Sequence, residues 1–192
     1  MGHERKRIQL TDQMTTKDRI VLCLSELSGT AILVFLGCMG CVTAMSGGSI
    51  PHLTVCLTFG LAVMVSVQIF GHISGSHINP VVTVAAVTLG NIPVIQVPIY
   101  FAVTPDELMG NKWVTHPDGV YNKTIGVCSP AVSTSISATQ GLLVEFIISF
   151  ILGLVCCGVW DSKNSDKHDS VAIRFGFAIA VLAIAAVPEK EL

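Results

Sequence analysis

Between Glu26 and Asp106 the chain carries no Asp, Glu, Lys or Arg, a run of 79 residues without a formal charge. A second run, residues 127–160, holds Glu145 as its one charge. A soluble domain needs charge at about a quarter of its positions to cover a water-facing surface. Here charged residues are 12% and apolar residues 51%. Apolar runs of about 20 residues are what a helix needs to cross a bilayer, so the pattern predicts an all-α transmembrane protein. The apolar content excludes intrinsic disorder. Lys+Arg total 11 against 13 Asp+Glu, a net charge of -2, which leaves no basic field for nucleic acid.

The charges that remain set the orientation. Arg5, Lys6, Arg7, Lys17 and Arg19 cluster in residues 1–19, so the positive-inside rule keeps this tail in the cytosol. The apolar run that follows is too long for a signal peptide and lacks an Ala-x-Ala-like end. The membrane domain is expected over residues 20–187, with a short tail at 188–192. Its spans fall at about 20–45, 53–71, 138–160 and 171–187. A piece at 94–103, containing Pro98, is too short to cross. Residues 104–136 are polar, with Asn122-Lys123-Thr124 as a glycosylation acceptor sequence. Residues 161–169 read as a solvated charged loop. Six of the seven cysteines lie in apolar runs and read as small buried hydrophobes. The Cys-x-x-Cys at Cys38-Met39-Gly40-Cys41 lies in an apolar run with no second ligand pair at zinc-finger distance, so no metal or other cofactor is expected.

Residues 71–91 depart from this pattern. The first half, Gly71-His72-Ile73-Ser74-Gly75-Ser76-His77-Ile78, is uncharged, polar and without period, and reads as irregular backbone. Asn79 then offers a helix N-cap and Pro80 a first helical residue. Gly90 is a stop, so the helix 80–89 is about ten residues, half a bilayer. Irregular backbone at membrane depth is tolerated only where it lines a cavity or packs on protein.

The chain also repeats itself. Phe59-Gly60-Leu61-Ala62-Val63-Met64-Val65 matches Phe175-Gly176-Phe177-Ala178-Ile179-Ala180-Val181 at an offset of 116. Glu26 and Glu145, each near the start of a span, are 119 apart, and at that offset Ile32-Leu33 falls on Ile151-Leu152. Such duplicated halves mark channels and transporters whose site lies between them. A lone carboxylate in a span is either an ion or proton site or an acceptor for buried N–H groups. The second reading is preferred, because the irregular stretch has N–H groups to satisfy, and Glu26 and Glu145 are expected to be buried structural acids.

The Gly71 to Pro80 segment, with the Glu26, Phe59-Gly60 and Glu145 helices, resembles the aquaporin (major intrinsic protein) family, and its loops look most like insect members. The resemblance implies a helical bundle with re-entrant half-helices that meet by Asn-Pro-Ala tips at mid-membrane. It implies a pore lined by Asn79, Pro80, Val81 and the carbonyls of Gly75, Ser76, His77 and Ile78. Phe59 corresponds to the aromatic member of the outer filter, and Ala183 stands where water-selective members carry a histidine. Water and small uncharged solutes such as glycerol are the implied cargo. The family is usually tetrameric and sits in the plasma membrane.

This chain differs from the family pattern at several points. Val81 replaces the alanine of the motif. The third helix is shortened, and the repeat would place a second Asn-Pro at 195, beyond Leu192, so the second half-helix and sixth helix are absent. This reads as a truncated or mis-spliced form, and the topology after residue 92 stays open. The alternative reading is a non-conducting form that associates with full-length subunits and is retained in the endoplasmic reticulum. No enzyme is expected, because His72 and His77 are five apart, no carboxylate lies between residues 27 and 105 to pair with them, and no nucleophile–base pairing is evident.

Overall fold

The computed structural model describes residues 13–42, 50–102, 136–164 and 166–186. Asn122, most of the N-terminal tail and the polar loop after residue 102 lie outside them. The described residues form helices and turns without a strand.

Helix α1, Thr16–Met39, begins four residues before the expected start, because Thr15 and Asp18 form a reciprocal cap. The Asp18 N–H donates to Thr15 Oγ1 at 3.2 Å, and the Thr15 N–H donates to Asp18 Oδ2 at 3.0 Å. This satisfies two of the donors that a helix start leaves open. Helix α2, His52–Ser74, follows Pro51. It runs three residues past the expected end and stops at Gly75, whose φ of 87° only glycine adopts without strain. Gly71 to Ser74 are therefore helical and not irregular. In lipid an unpaired backbone N–H is costly, and the chain stays helical until a residue can turn it.

Helix α3, Pro80–Thr88, is the half-helix, nine residues and about 14 Å at 1.5 Å per residue. The Asn79 side-chain oxygen caps it, accepting from the Val81 N–H at 2.8 Å. A turn at Val94–Gln96 leads to the six-residue α4, Val97–Ala102, where Pro98 sits in the first turn and removes no helical hydrogen bond. Helix α5, Ala138–Val159, is capped by Ser137 and Gln140 in the same reciprocal way as α1. Two short turns lead to α6, Val171–Ala186. Arg174 at its start donates to the carbonyls of Ser170 and Lys167, which turns its charge back onto the loop.

Helices α1, α2 and α5 are long and apolar enough to cross a membrane. The described part of α6 is 16 residues, about 24 Å, and falls short of the roughly 30 Å hydrocarbon layer. Helices α2 and α6 make the closest crossing. A Cβ added to Gly60 would stand 2.4 Å from the Gly176 carbonyl oxygen and 2.7 Å from Ala180 Cβ. A Cβ added to Gly176 would stand 2.9 Å from the Gly60 carbonyl oxygen and 2.7 Å from Met64 Cβ. Gly60 and Gly176 are counterparts in the repeat, as are Met64 and Ala180. Each contact thus occurs twice with the roles exchanged, the mark of a two-fold relation between the helices. Helix α1 lies on the other side of α2, and α3 rests on α5. The core between them is Val63, Ile78, Val82, Leu152, Cys156, Val159, Phe175 and Leu182.

Two expectations are corrected here. Glu145 is exposed on α5, between the exposed Leu142 and Phe146, and is not a buried acid. Among the described residues, no irregular segment brings N–H groups to that face as one does to Glu26. The cysteines also differ from one another. Cys56 and Cys156 are buried, Cys23 and Cys41 are half-buried, Cys157 is exposed and Cys38 is disulfide-bonded.

Candidate functional site

Residues 75–79 link α2 to α3 in a conformation that the local sequence does not favour. Gly75, Ser76 and Ile78 all have positive φ, at 87°, 47° and 41°. For a β-branched residue such as Ile78 this region is strained by roughly 1–2 kcal/mol. Neighbouring contacts must hold it, and Glu26 supplies them. Its Oε1 accepts from the His77 N–H at 3.0 Å and from the Ser74 hydroxyl at 2.5 Å. Its Oε2 accepts from the Ile78 N–H at 2.8 Å. The carboxylate is 0% exposed, so these bonds stand in for its water shell.

The Ser74 hydroxyl uses all its capacity. It donates to Glu26 and accepts from the Ser25 hydroxyl at 3.0 Å and the Ser76 N–H at 3.1 Å. The Ser74 carbonyl accepts from the Tyr100 hydroxyl at 2.7 Å. Tyr100 also stacks on His77, with ring centroids 4.3 Å apart, and Trp160 closes the other approach at 6.0 Å. His77 Nδ1 lies 3.1 Å from Thr83 Oγ1. The short α4 thus braces the link from behind, although it is too short to span.

On the open side of the link is a cavity of about 160 Å³. Its walls are Leu33 of α1, Phe59, Val63 and Val67 of α2, Val82 of α3, Leu152 of α5, and Phe175 and Ile179 of α6. Gly75, Ser76, His77, Ile78 and Asn79 complete the lining. With Asn79 Oδ1 turned to its own helix, the side-chain NH2 is the donor left for the cavity. Gly37 gives the Phe59 ring its place, because a Cβ there would stand 2.3 Å from the ring.

Six of the residues expected at a pore therefore surround this cavity: Phe59, Gly75, Ser76, His77, Ile78 and Asn79. Pro80 is exposed and Val81 is half-buried, and neither is on its wall. Ala183 is one turn beyond Ile179 on α6 and also off the wall. The sequence reading missed Thr83, Tyr100 and Trp160, and no periodic signal marks them. It also missed Leu33, Val63, Leu152, Phe175 and Ile179, for which a signal exists. Phe59 with Phe175 and Val63 with Ile179 are 116 apart, and Leu33 with Leu152 are 119 apart. All three pairs line one cavity.

Chemically, the site is an apolar cavity with a few fixed hydrogen-bonding groups on one wall and the N-terminal end of a half-helix at its edge. Comparison with known proteins agrees in kind. The family model described as Major intrinsic protein matches residues 13–190. The chain is 38% identical over 171 residues to Aquaporin NIP1-3 of Oryza sativa subsp. japonica, covering 86% of this chain and 57% of that protein. It is 33% identical over 176 residues to Aquaporin-4 of Mus musculus, covering 82% and 50%. It is 35% identical over 153 residues to Probable aquaporin NIP4-2 of Arabidopsis thaliana, covering 78% and 53%. The chain spans about half the length of these curated relatives. The family match takes in every described helix, and the chain belongs to the major intrinsic protein family as an integral membrane protein built of helices.

Proposed function

We propose that this chain forms the water-lined wall of a passive channel for water and small uncharged solutes. The observation that carries this reading is the link 75–79, held by Glu26 and set against an apolar cavity, with Asn79 at the tip of α3. The carbonyls of Gly75, Ser76, His77 and Ile78, outside regular structure, are placed to accept from a passing hydroxyl, while that of Asn79 accepts from the Thr83 N–H. The Asn79 amide is a matching donor. The positive end of the α3 dipole disfavours cations at the same place. Water and small polyols can exchange hydrogen bonds along such a wall, whereas an ion would lose its hydration shell without replacement.

Glycerol is the solute we favour beyond water. Ala183 continues the Phe175 and Ile179 face of α6 by one turn and adds neither bulk nor a donor. Tetrameric assembly and residence in the plasma membrane, as the family resemblance implies, complete the proposal. The test is reconstitution of the chain in liposomes followed by light scattering after an osmotic step. Water and glycerol should both cross faster than in empty vesicles, without ion conductance. The Ala183→His variant should lose glycerol uptake and keep water. Background permeability for the parent chain, or equal glycerol uptake by the variant, would count against the reading.

A further inference from the structure

The far end of the α1–α2 pair, away from the Glu26 network, holds a second group of reactive side chains. His52 and Cys56 are four residues apart at the start of α2, a spacing that puts both on one helical face. Cys56 Sγ and His52 Nε2 are 3.1 Å apart. Cys56 is 2% exposed and His52 is half-buried. The end of α1 closes the third side. Gly40 is fitted against the Thr58 side chain, and the Cys41 thiol donates to the Gly37 carbonyl at 3.7 Å.

We propose that His52 and Cys56 form a two-ligand binding site for a soft monovalent metal ion, with copper(I) the ion that fits best. Thiolate sulfur and imidazole nitrogen are the donors such an ion selects. Among the described residues, no three of His, Cys, Asp and Glu are grouped to hold a metal together. Zinc, which takes four ligands in closed sites, is therefore poorly served. Copper(I) is satisfied by two donors in a line. The two donors, 3.1 Å apart, must move apart to admit it. Binding displaces the thiol proton, so each ion taken up releases one proton, and no oxidant or reductant is required. The site is one turn from Phe59, which lines the cavity, but its existence does not depend on conduction.

The experiment uses the full chain in detergent under reducing, oxygen-free conditions, with copper(I) as the probe against a competing chelator. Cys23→Ser, Cys38→Ser, Cys41→Ser, Cys128→Ser and Cys157→Ser are combined as a background that removes the competing thiols, including those that reduction frees from the Cys38 disulfide. This background should retain one copper(I) per chain. Adding Cys56→Ser or His52→Ala should weaken retention at least tenfold, and adding Cys156→Ser should leave it unchanged. X-ray absorption of the loaded background protein should show one sulfur and one nitrogen on the metal. Equal retention in all variants, or a spectrum with sulfur alone, would overturn the site. If Cys56→Ser does not fold, the spectrum of the background protein decides by itself.

Discussion

At the scale of single residues, one carboxylate holds the backbone of the site. Glu26 accepts from two backbone N–H groups and a hydroxyl, all buried with it. Leaving a buried donor unsatisfied costs about 1–3 kcal/mol. Glu26→Leu should therefore lower stability by roughly 3 kcal/mol or more, and Glu26→Gln by about half of that, since one acceptor oxygen survives. Unfolding in detergent micelles measures both, and a Leu variant as stable as the parent would contradict the assignment. The preference for an N–H acceptor is legible in the sequence, because a lone acid in an apolar span needs donors and the irregular stretch has N–H groups to satisfy. Which N–H groups it takes is not legible. Gly71 and His72 are poor helix formers in water, yet they remain in α2 because lipid penalises an open backbone. The irregular segment shrinks to residues 75–79, and His77 and Ile78 become the donors. The sequence alone equally misplaces Glu145, for which a matching position in the repeat is no guarantee of a matching neighbour.

At the scale of elements, the helices are readable and their contacts only partly so. The caps at Thr15, Asn79 and Ser137 follow local chemistry, and the lengths of α1, α2 and α5 follow the hydrocarbon thickness. The crossing of α2 and α6 is set by glycine, and many glycines in the chain could have served. Gly60 and Gly176 face backbone, whereas Gly153 in α5 has nothing within 4 Å of an added Cβ. Gly60→Ala should thus destabilise by about 1–3 kcal/mol through overpacking. Gly153→Ala should be neutral or stabilise by up to about 1 kcal/mol, the helix preference of alanine. Thermal unfolding of the two variants side by side is the check, and a larger loss from Gly153→Ala would reverse the picture. Gly176→Ala combined with Gly60→Ala should lose less than the sum, because both enter one contact.

At the scale of the whole molecule, the three long helices of the described residues carry outer faces suited to lipid. Phe146 and Phe150 on α5 are 66% and 59% exposed, and Leu142 is 71% exposed. In water such a face would drive aggregation, and in a bilayer it is the ordinary exterior. Phe150→Asp should therefore reduce membrane insertion by about 3 kcal/mol, while Phe150→Leu should change little. An insertion assay on the full chain separates the two, and equal insertion would mean that this face meets protein or water. The crossing of α2 and α6 reaches further, into the origin of the molecule. A residue that touches its own counterpart was once, before the halves were joined, a residue touching itself across a symmetric pair. Any change at that glycine would then have struck both partners at once, so a small side chain there was fixed before there was a single chain to carry it.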